Sequence, residues 1–138
     1  AAGELPVQLT DGGADHALIA ADVVLVASGT ATLETALCKR PMVVAYRLGA
    51  ITALLLRTLG LVKVPYFSQP NLLAGRRLVP EFFQEAVTPR SLADALGAEL
   101  ADPARAALLA QEFRRIHESL RVDGARRAAD AVLELVDR

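Results

Sequence analysis

Apolar positions fall in blocks along this chain, and the blocks change period from one segment to the next. Val23 to Ala27 and Met42 to Tyr46 are short apolar runs rich in β-branched residues, the pattern of strands covered on both faces. Between them, Thr30 to Cys38 places Leu33 and Leu37 four apart and meets no breaker before Pro41, which predicts a helix lying on that sheet. Upstream, Leu5 to Leu9 ends at the turn Asp11-Gly12-Gly13 and predicts another strand, and Ala14 to Ala21 predicts a short helix. Strand and helix alternating over short connections predict an α/β fold with a doubly wound parallel sheet, in which Val23 to Ala27 is a central strand.

The second half reads as more helical. Ala50 to Leu59 carries Ile51, Leu54, Leu55 and Leu59 at helical spacing, and Ser91 to Leu100 forms another helix. Asp102-Pro103 opens a third with a stripe of Leu109, Phe113, Ile116 and Leu120. Asp123-Gly124 separates it from a last helix striped by Ala129, Val132, Leu133 and Val136. Both stripes predict packing on the sheet or on a partner.

At 138 residues the chain can bury one sizeable core, so residues 1 to 138 are read as a single domain. A net charge of −1, with arginines spread over several segments, excludes a basic nucleic-acid-binding surface. Cys38 is the single cysteine, which excludes an internal disulfide and a cysteine-based zinc site and fits a reducing compartment, and its setting reads as a small buried thiol. Leu48 to Val62 is too short and too broken by Gly49, Arg57 and Gly60 to cross a bilayer; it fits a core helix or one lying in a membrane interface. The chain starts without methionine and enters a strand-like segment almost at once, as a piece of a longer protein would.

The chemistry concentrates in Asp22 to Glu34, DVVLVASGTATLE, where a buried strand passes through Ser28-Gly29-Thr30 into a helix. Ligands of open parallel sheets sit beyond the carboxyl ends of the strands, where this turn falls. A helix start presents unpaired N–H groups and a positive dipole end, which suit a diphosphate. Gly29 permits close approach, Ser28 and Thr30 can donate hydroxyls, and Glu34, one turn on, can accept hydrogen bonds from a ribose diol. The same residues also fit a plain capped helix with a solvated acid. The turn lacks the Gly-Lys-Ser/Thr of a Walker loop and the spacing of a dinucleotide fingerprint.

A second shaped segment runs from Pro65 to Arg77, PYFSQPNLLAGRR. Asn71 either caps the turn Leu72 to Ala74 or bonds a ligand, and Arg76 or Arg77 is either solvated or offsets phosphate charge. His16 reads as a surface residue and His117, with no second ligand at metal spacing, as structural; Arg126 and Arg127 read as solvated.

Taken together, ADVVLVASGTATLETALCKRPMVVAYRLG (21–49), VPYFSQPNLLAGRRLVPEFFQE (64–85) and FRRIHESLRVDGARRAADAVLELV (113–136) resemble the bacterial lipid-A-disaccharide synthases, membrane-associated glycosyltransferases of GT-B fold. The resemblance covers nearly the whole chain and implies the Rossmann-like C-terminal half of that fold, with additional C-terminal helices. It implies transfer from UDP-2,3-diacylglucosamine to 2,3-diacylglucosamine 1-phosphate (lipid X), with inversion, giving a β-1,6-linked disaccharide and UDP without metal or other cofactor. It implies Ser28, Gly29 and Thr30 as the diphosphate turn, Glu34 as the ribose acid, and Asn71 as a donor-site residue with Gly75 shaping its loop, and it adds Arg76 and Arg47 as further donor-site candidates. It places the protein at the cytoplasmic face of the inner membrane as a peripheral enzyme. The family's Pro-Gly-Ser-Arg turn and its acceptor domain, which carries the catalytic carboxylate, have no counterpart in these residues, so the chain alone is expected to catalyse little. The last helix, left with an open apolar face, makes a homodimer an open option. Two alternatives stand beside this reading: a related enzyme or epimerase acting on another UDP-N-acetylglucosamine-type sugar, and a non-catalytic α/β interaction module.

Overall fold

The computed structural model describes residues 6–27, 29–49 and 65–136. Among these residues, the elements run α1 (Ala14–Ala20), β1 (Val24–Ala27), α2 (Thr30–Leu37), β2 (Met42–Tyr46), α3 (Gln69–Ala74), β3 (Glu81–Phe83), a 3-10 turn (Gln84–Ala86), α4 (Pro89–Ala101), α5 (Pro103–Leu120) and α6 (Gly124–Val136). The chain is thus α/β, with a parallel sheet in the order β1-β2-β3 and helices packed on it.

Val24 pairs with Met42 and Ala27 with Ala45, while Val44 pairs with Glu81 and Tyr46 with Phe83. Met42, Val43 and Val44 of β2 are each 0% exposed, as the uninterrupted apolar run predicts for a strand buried on both faces. Among the described strands the central position is held by β2, where the sequence pattern predicts β1. Among the described residues β1 is an edge strand, and Leu25, between the more buried Val24 and Val26, is 48% exposed. The strand expected over Leu5 to Leu9 is also absent from residues 6–10, which are exposed and unpaired. A strand needs a neighbour for its N–H and C=O groups, and no described residue supplies one there. Ala50 to Leu59 and most of Leu48 to Val62 lie outside the described residues.

The core gathers Val26, Ala36, Met42, Val44, Leu78, Val79, Leu109, Phe113 and Ile116. Phe113 is the largest fully buried side chain among the described residues, and with Leu109 and Ile116 it forms a buried stripe on α5, while Leu120, which helical spacing adds to that stripe, lies at the end of the helix and is 39% exposed. The buried face of α2 is different from the one Leu33 and Leu37 suggested. Thr32, Thr35 and Ala36, at i, i+3 and i+4, face inward, and Leu37 is turned outward. These smaller side chains allow the helix backbone to approach the sheet closely, and the two threonine hydroxyls bond back to carbonyls of their own helix turn, at Gly29 and Ala31.

Helix starts are capped from within the chain at several places. Thr88 and Ser91 form a reciprocal capping box on α4, Asp102 accepts from the Arg105 N–H at 2.9 Å on α5, and Asp123 accepts from the Arg126 N–H at 3.1 Å on α6. Helix α6 does not pack on the sheet: its side chains through Leu135 are exposed, including Val132 and Leu133. No helix among the described residues is long and apolar enough to cross a membrane.

Candidate functional site

Parallel pairing brings the carboxyl ends of the three strands, Ala27, Tyr46 and Phe83, to one edge of the sheet. The rings of Tyr46 and Phe83 stack with centroids 6.1 Å apart, and Phe67 closes the group at 5.7 Å from Phe83. All three rings are half-buried. Beside them, the connection from β1 to α2 makes a turn at Gly29.

Gly29 is the N-cap of α2, with φ 137° and ψ −158°, a conformation that residues with a side chain rarely adopt. A Cβ there would meet no atom of the described residues within 4 Å. Gly29 has no side chain with which to cap, and α2 carries no acidic residue in its first turn. Among the described residues the positive end of the helix is therefore left without a side-chain cap or a first-turn acid. Thr30 and Glu34 are both exposed and lie one turn apart on this helix. Gly29, Thr30 and Glu34 thus share one accessible helix start, and Ser28 lies outside the described residues.

The loop around Asn71 is built differently from what its sequence suggests. Ser68 is the N-cap of α3 and Asn71 lies inside the helix, 0% exposed. Its side-chain amide donates to the Val79 carbonyl at 3.0 Å and accepts from the N–H groups of Leu78 at 2.7 Å and Val79 at 2.9 Å. Asn71 therefore acts on this region by fixing the chain from α3 to β3. Gly75 ends α3 in the left-handed region at φ 64°, where glycine carries no Cβ penalty. Arg76 pairs with Glu112 of α5 at 3.0 Å, and Glu112 also holds Arg115 at 2.8 Å. Arg47 is exposed just beyond β2.

Two residues that sequence reasoning passed over join these parts. The Glu81 carboxylate accepts from the Ser68 N–H at 2.7 Å and from the Phe67 N–H at 3.4 Å, so β3 closes the start of α3 with a negative charge. The Thr32 hydroxyl donates to the Gly29 carbonyl at 2.8 Å and accepts from the Gln69 N–H at 3.3 Å. The sequence signal for Thr32 is its place with Thr35 and Ala36 on a face of small residues; for Glu81 no local pattern reports a partner 13 positions away.

His16 is exposed beside Gly13, on the rim of an open hollow lined also by Gln8, Thr10 and Asp11. Its ring lies 3.9 Å from the Asp15 carboxylate, an exposed neighbour. His117 is half-buried on α5 and stands 2.7 Å from the Lys39 amine, joining α5 to the end of α2. Cys38 is half-buried at the C-cap of α2.

A family model described as lipid-A-disaccharide synthetase matches residues 3–135. The chain is 54% identical over 134 residues to the lipid-A-disaccharide synthase of Pseudomonas paraeruginosa, covering 97% of the chain and 34% of that protein. It is 55% identical over 141 residues to the synthase of Azotobacter vinelandii, covering 98% and 34%, and 51% identical over 134 residues to that of Sodalis glossinidius, covering 97% and 35%. The chain therefore spans about a third of the length of the curated relatives it matches. By the extent of these matches, the chain belongs to the lipid-A-disaccharide synthetase family.

Proposed function

We propose that this chain is the donor-binding part of a lipid-A-disaccharide synthase, the single C-terminal domain of a GT-B glycosyltransferase with a doubly wound sheet. The observation that carries the reading is the open start of α2 at the carboxyl edge of the sheet, with Gly29 as N-cap and Glu34 exposed one turn on. In this reading the diphosphate of UDP-2,3-diacylglucosamine lies against Ser28, Gly29 and Thr30, which offer backbone N–H groups and hydroxyls to its oxygens. Glu34, one turn along the helix, repels the diphosphate at that range and accepts hydrogen bonds from the ribose hydroxyls, so it favours the orientation that brings the ribose to it. Asn71 and Gly75 hold the loop that borders the site. Arg76 adds positive charge at the end of that loop, shared with Glu112.

The reaction proposed is inverting transfer of the diacylglucosaminyl group. The 6-hydroxyl of lipid X attacks the anomeric carbon, the bond to the diphosphate breaks, and UDP leaves with the electron pair. The helix start stabilises the charge that gathers on the leaving diphosphate, the contribution this chain's residues make to the step. Acceptor binding and removal of the hydroxyl proton belong to residues outside this chain. Substrates of this kind place the protein at the cytoplasmic face of the inner membrane as a peripheral enzyme.

The reading is tested by titrating UDP into the isotopically labelled chain and following amide shifts. Shifts centred on Gly29 and Glu34 are expected; no response at millimolar UDP would remove the donor-site assignment.

A further inference from the structure

We propose that Thr32 is a positioning residue for the diphosphate turn, holding it in a fixed relation to the loop that opens α3. The proposal rests on the donor-site reading above. Thr32 is 0% exposed, so its hydroxyl touches no ligand. That oxygen donates to the Gly29 carbonyl at 2.8 Å and accepts from the Gln69 N–H at 3.3 Å. A hydroxyl has one proton to give and lone pairs to receive, so both bonds coexist on one atom.

The consequence follows from the geometry of the peptide unit. The Gly29 carbonyl and the Thr30 N–H belong to one rigid plane and point in opposite directions across it. Holding the carbonyl inward therefore aims the Thr30 N–H outward, toward the anion. Gly29 is the position where such control matters, because a glycine at φ 137° has no side chain to restrict it. The backbone N–H of Thr32 also reaches the Gly29 carbonyl, at 3.2 Å, which any residue would provide. What only a hydroxyl at this position adds is the link from that carbonyl to a second element.

Thr35 supplies an internal comparison. Its hydroxyl donates to the Ala31 carbonyl at 2.8 Å, the usual back-bond of a helical threonine, and no bond from it reaches α3. Removing the Thr35 hydroxyl costs a local bond only, whereas removing that of Thr32 also uncouples the turn from the loop.

The test is made in the full-length protein that contains this chain, comparing Thr32→Val, Thr32→Ser, Thr35→Val and Glu34→Ala. UDP affinity is read by calorimetry and donor and acceptor KM by kinetics. Loss of the positioning bonds is expected to weaken UDP binding and raise donor KM about tenfold in Thr32→Val, with Thr32→Ser and Thr35→Val within about twofold of the parent. Acceptor KM should stay unchanged in all of them. Undiminished UDP affinity in Thr32→Val, or an equal loss in Thr35→Val, overturns the assignment of Thr32 while Glu34→Ala still reports the donor site. Absence of UDP binding by the parent, or indifference to Glu34→Ala, overturns the donor-site reading and this proposal with it. Should Thr32→Val fail to fold, Thr32→Ala set against Thr32→Ser isolates the same oxygen. In the unaltered protein UDP should slow hydrogen exchange at the Gln69 amide, and an unchanged rate overturns the coupling.

Discussion

Asn71 pairs with Val79 through both halves of its side-chain amide, donating to the carbonyl at 3.0 Å and accepting from the N–H at 2.9 Å, as a neighbouring strand would. The pairing is wholly buried and takes in the Leu78 N–H as well. Asn71→Ala leaves these backbone groups without partners, so a loss of about 2–4 kcal/mol in denaturant unfolding is expected. An Asn71→Ala protein of unchanged stability but lost UDP affinity would show instead that the side chain turns to the ligand.

Glu34 is exposed and has no packing role, so its removal isolates a binding effect. Glu34→Ala should leave the melting temperature unchanged and weaken UDP about tenfold, the loss of hydrogen bonds to a charged acceptor. Uridine should suffer the same loss as UDP, because the contact is to ribose. A loss confined to UDP would place Glu34 at the diphosphate and contradict the assignment.

Glu99 is 5% exposed and bonds the Arg105 guanidinium at 2.9 Å, and the same guanidinium donates to the Leu78 carbonyl at 2.9 Å. Arg105→Met strands a buried carboxylate. Arg105 is itself partly solvated, so the expected cost lies below that of a fully buried pair, about 2 kcal/mol. Replacing both residues by methionine should recover part of it, which denaturant midpoints for the two variants would show.

Gly75 has a left-handed backbone and open space where a Cβ would stand. Gly75→Ala should therefore cost about 1 kcal/mol through backbone strain alone, and Gly75→Asn less, because asparagine tolerates this region. A much larger loss for alanine in thermal melts would mean that the glycine also makes room for something.

Arg76 and Glu112 are partly solvated, so breaking their pair should change stability by no more than about 1 kcal/mol. With Glu112 offsetting its charge, Arg76→Ala is expected to lower UDP affinity only about twofold, and Glu112→Gln to raise it slightly. Direct contact with the diphosphate would appear as a tenfold or greater loss for Arg76→Ala.

The parts of this molecule that were legible in the sequence are those set by local period. The β-branched runs of β1 and β2, the α2 helix between them and the α5 stripe of Leu109, Phe113 and Ile116 follow from side-chain spacing alone. The short β3 was not legible, since Glu81-Phe82-Phe83 carries no alternation and becomes a strand only by pairing with Val44 to Tyr46. The edge position of β1 depends on which strands are available to it, which no property of Val24 to Ala27 reports. At the candidate site, the strand-glycine-helix turn was visible because glycine marks it. The inward face of Thr32, Thr35 and Ala36 was hidden behind two leucines with greater hydrophobic weight, and the Asn71 amide could be placed only once Val79 stood beside it.

The capped helix starts have a consequence for how a charged visitor finds its place. Glu81 fills the opening of α3, and the starts of α4, α5 and α6 each receive an oxygen from Thr88, Asp102 or Asp123. Helix α2 begins instead on a residue that has no oxygen in its side chain. Helix α1 likewise begins on a glycine, Gly13, but carries Asp15 in its first turn, so among the described helices α2 is the doorway left with neither an internal oxygen nor an acid, the one at which the proposed nucleotide would be seated phosphate first.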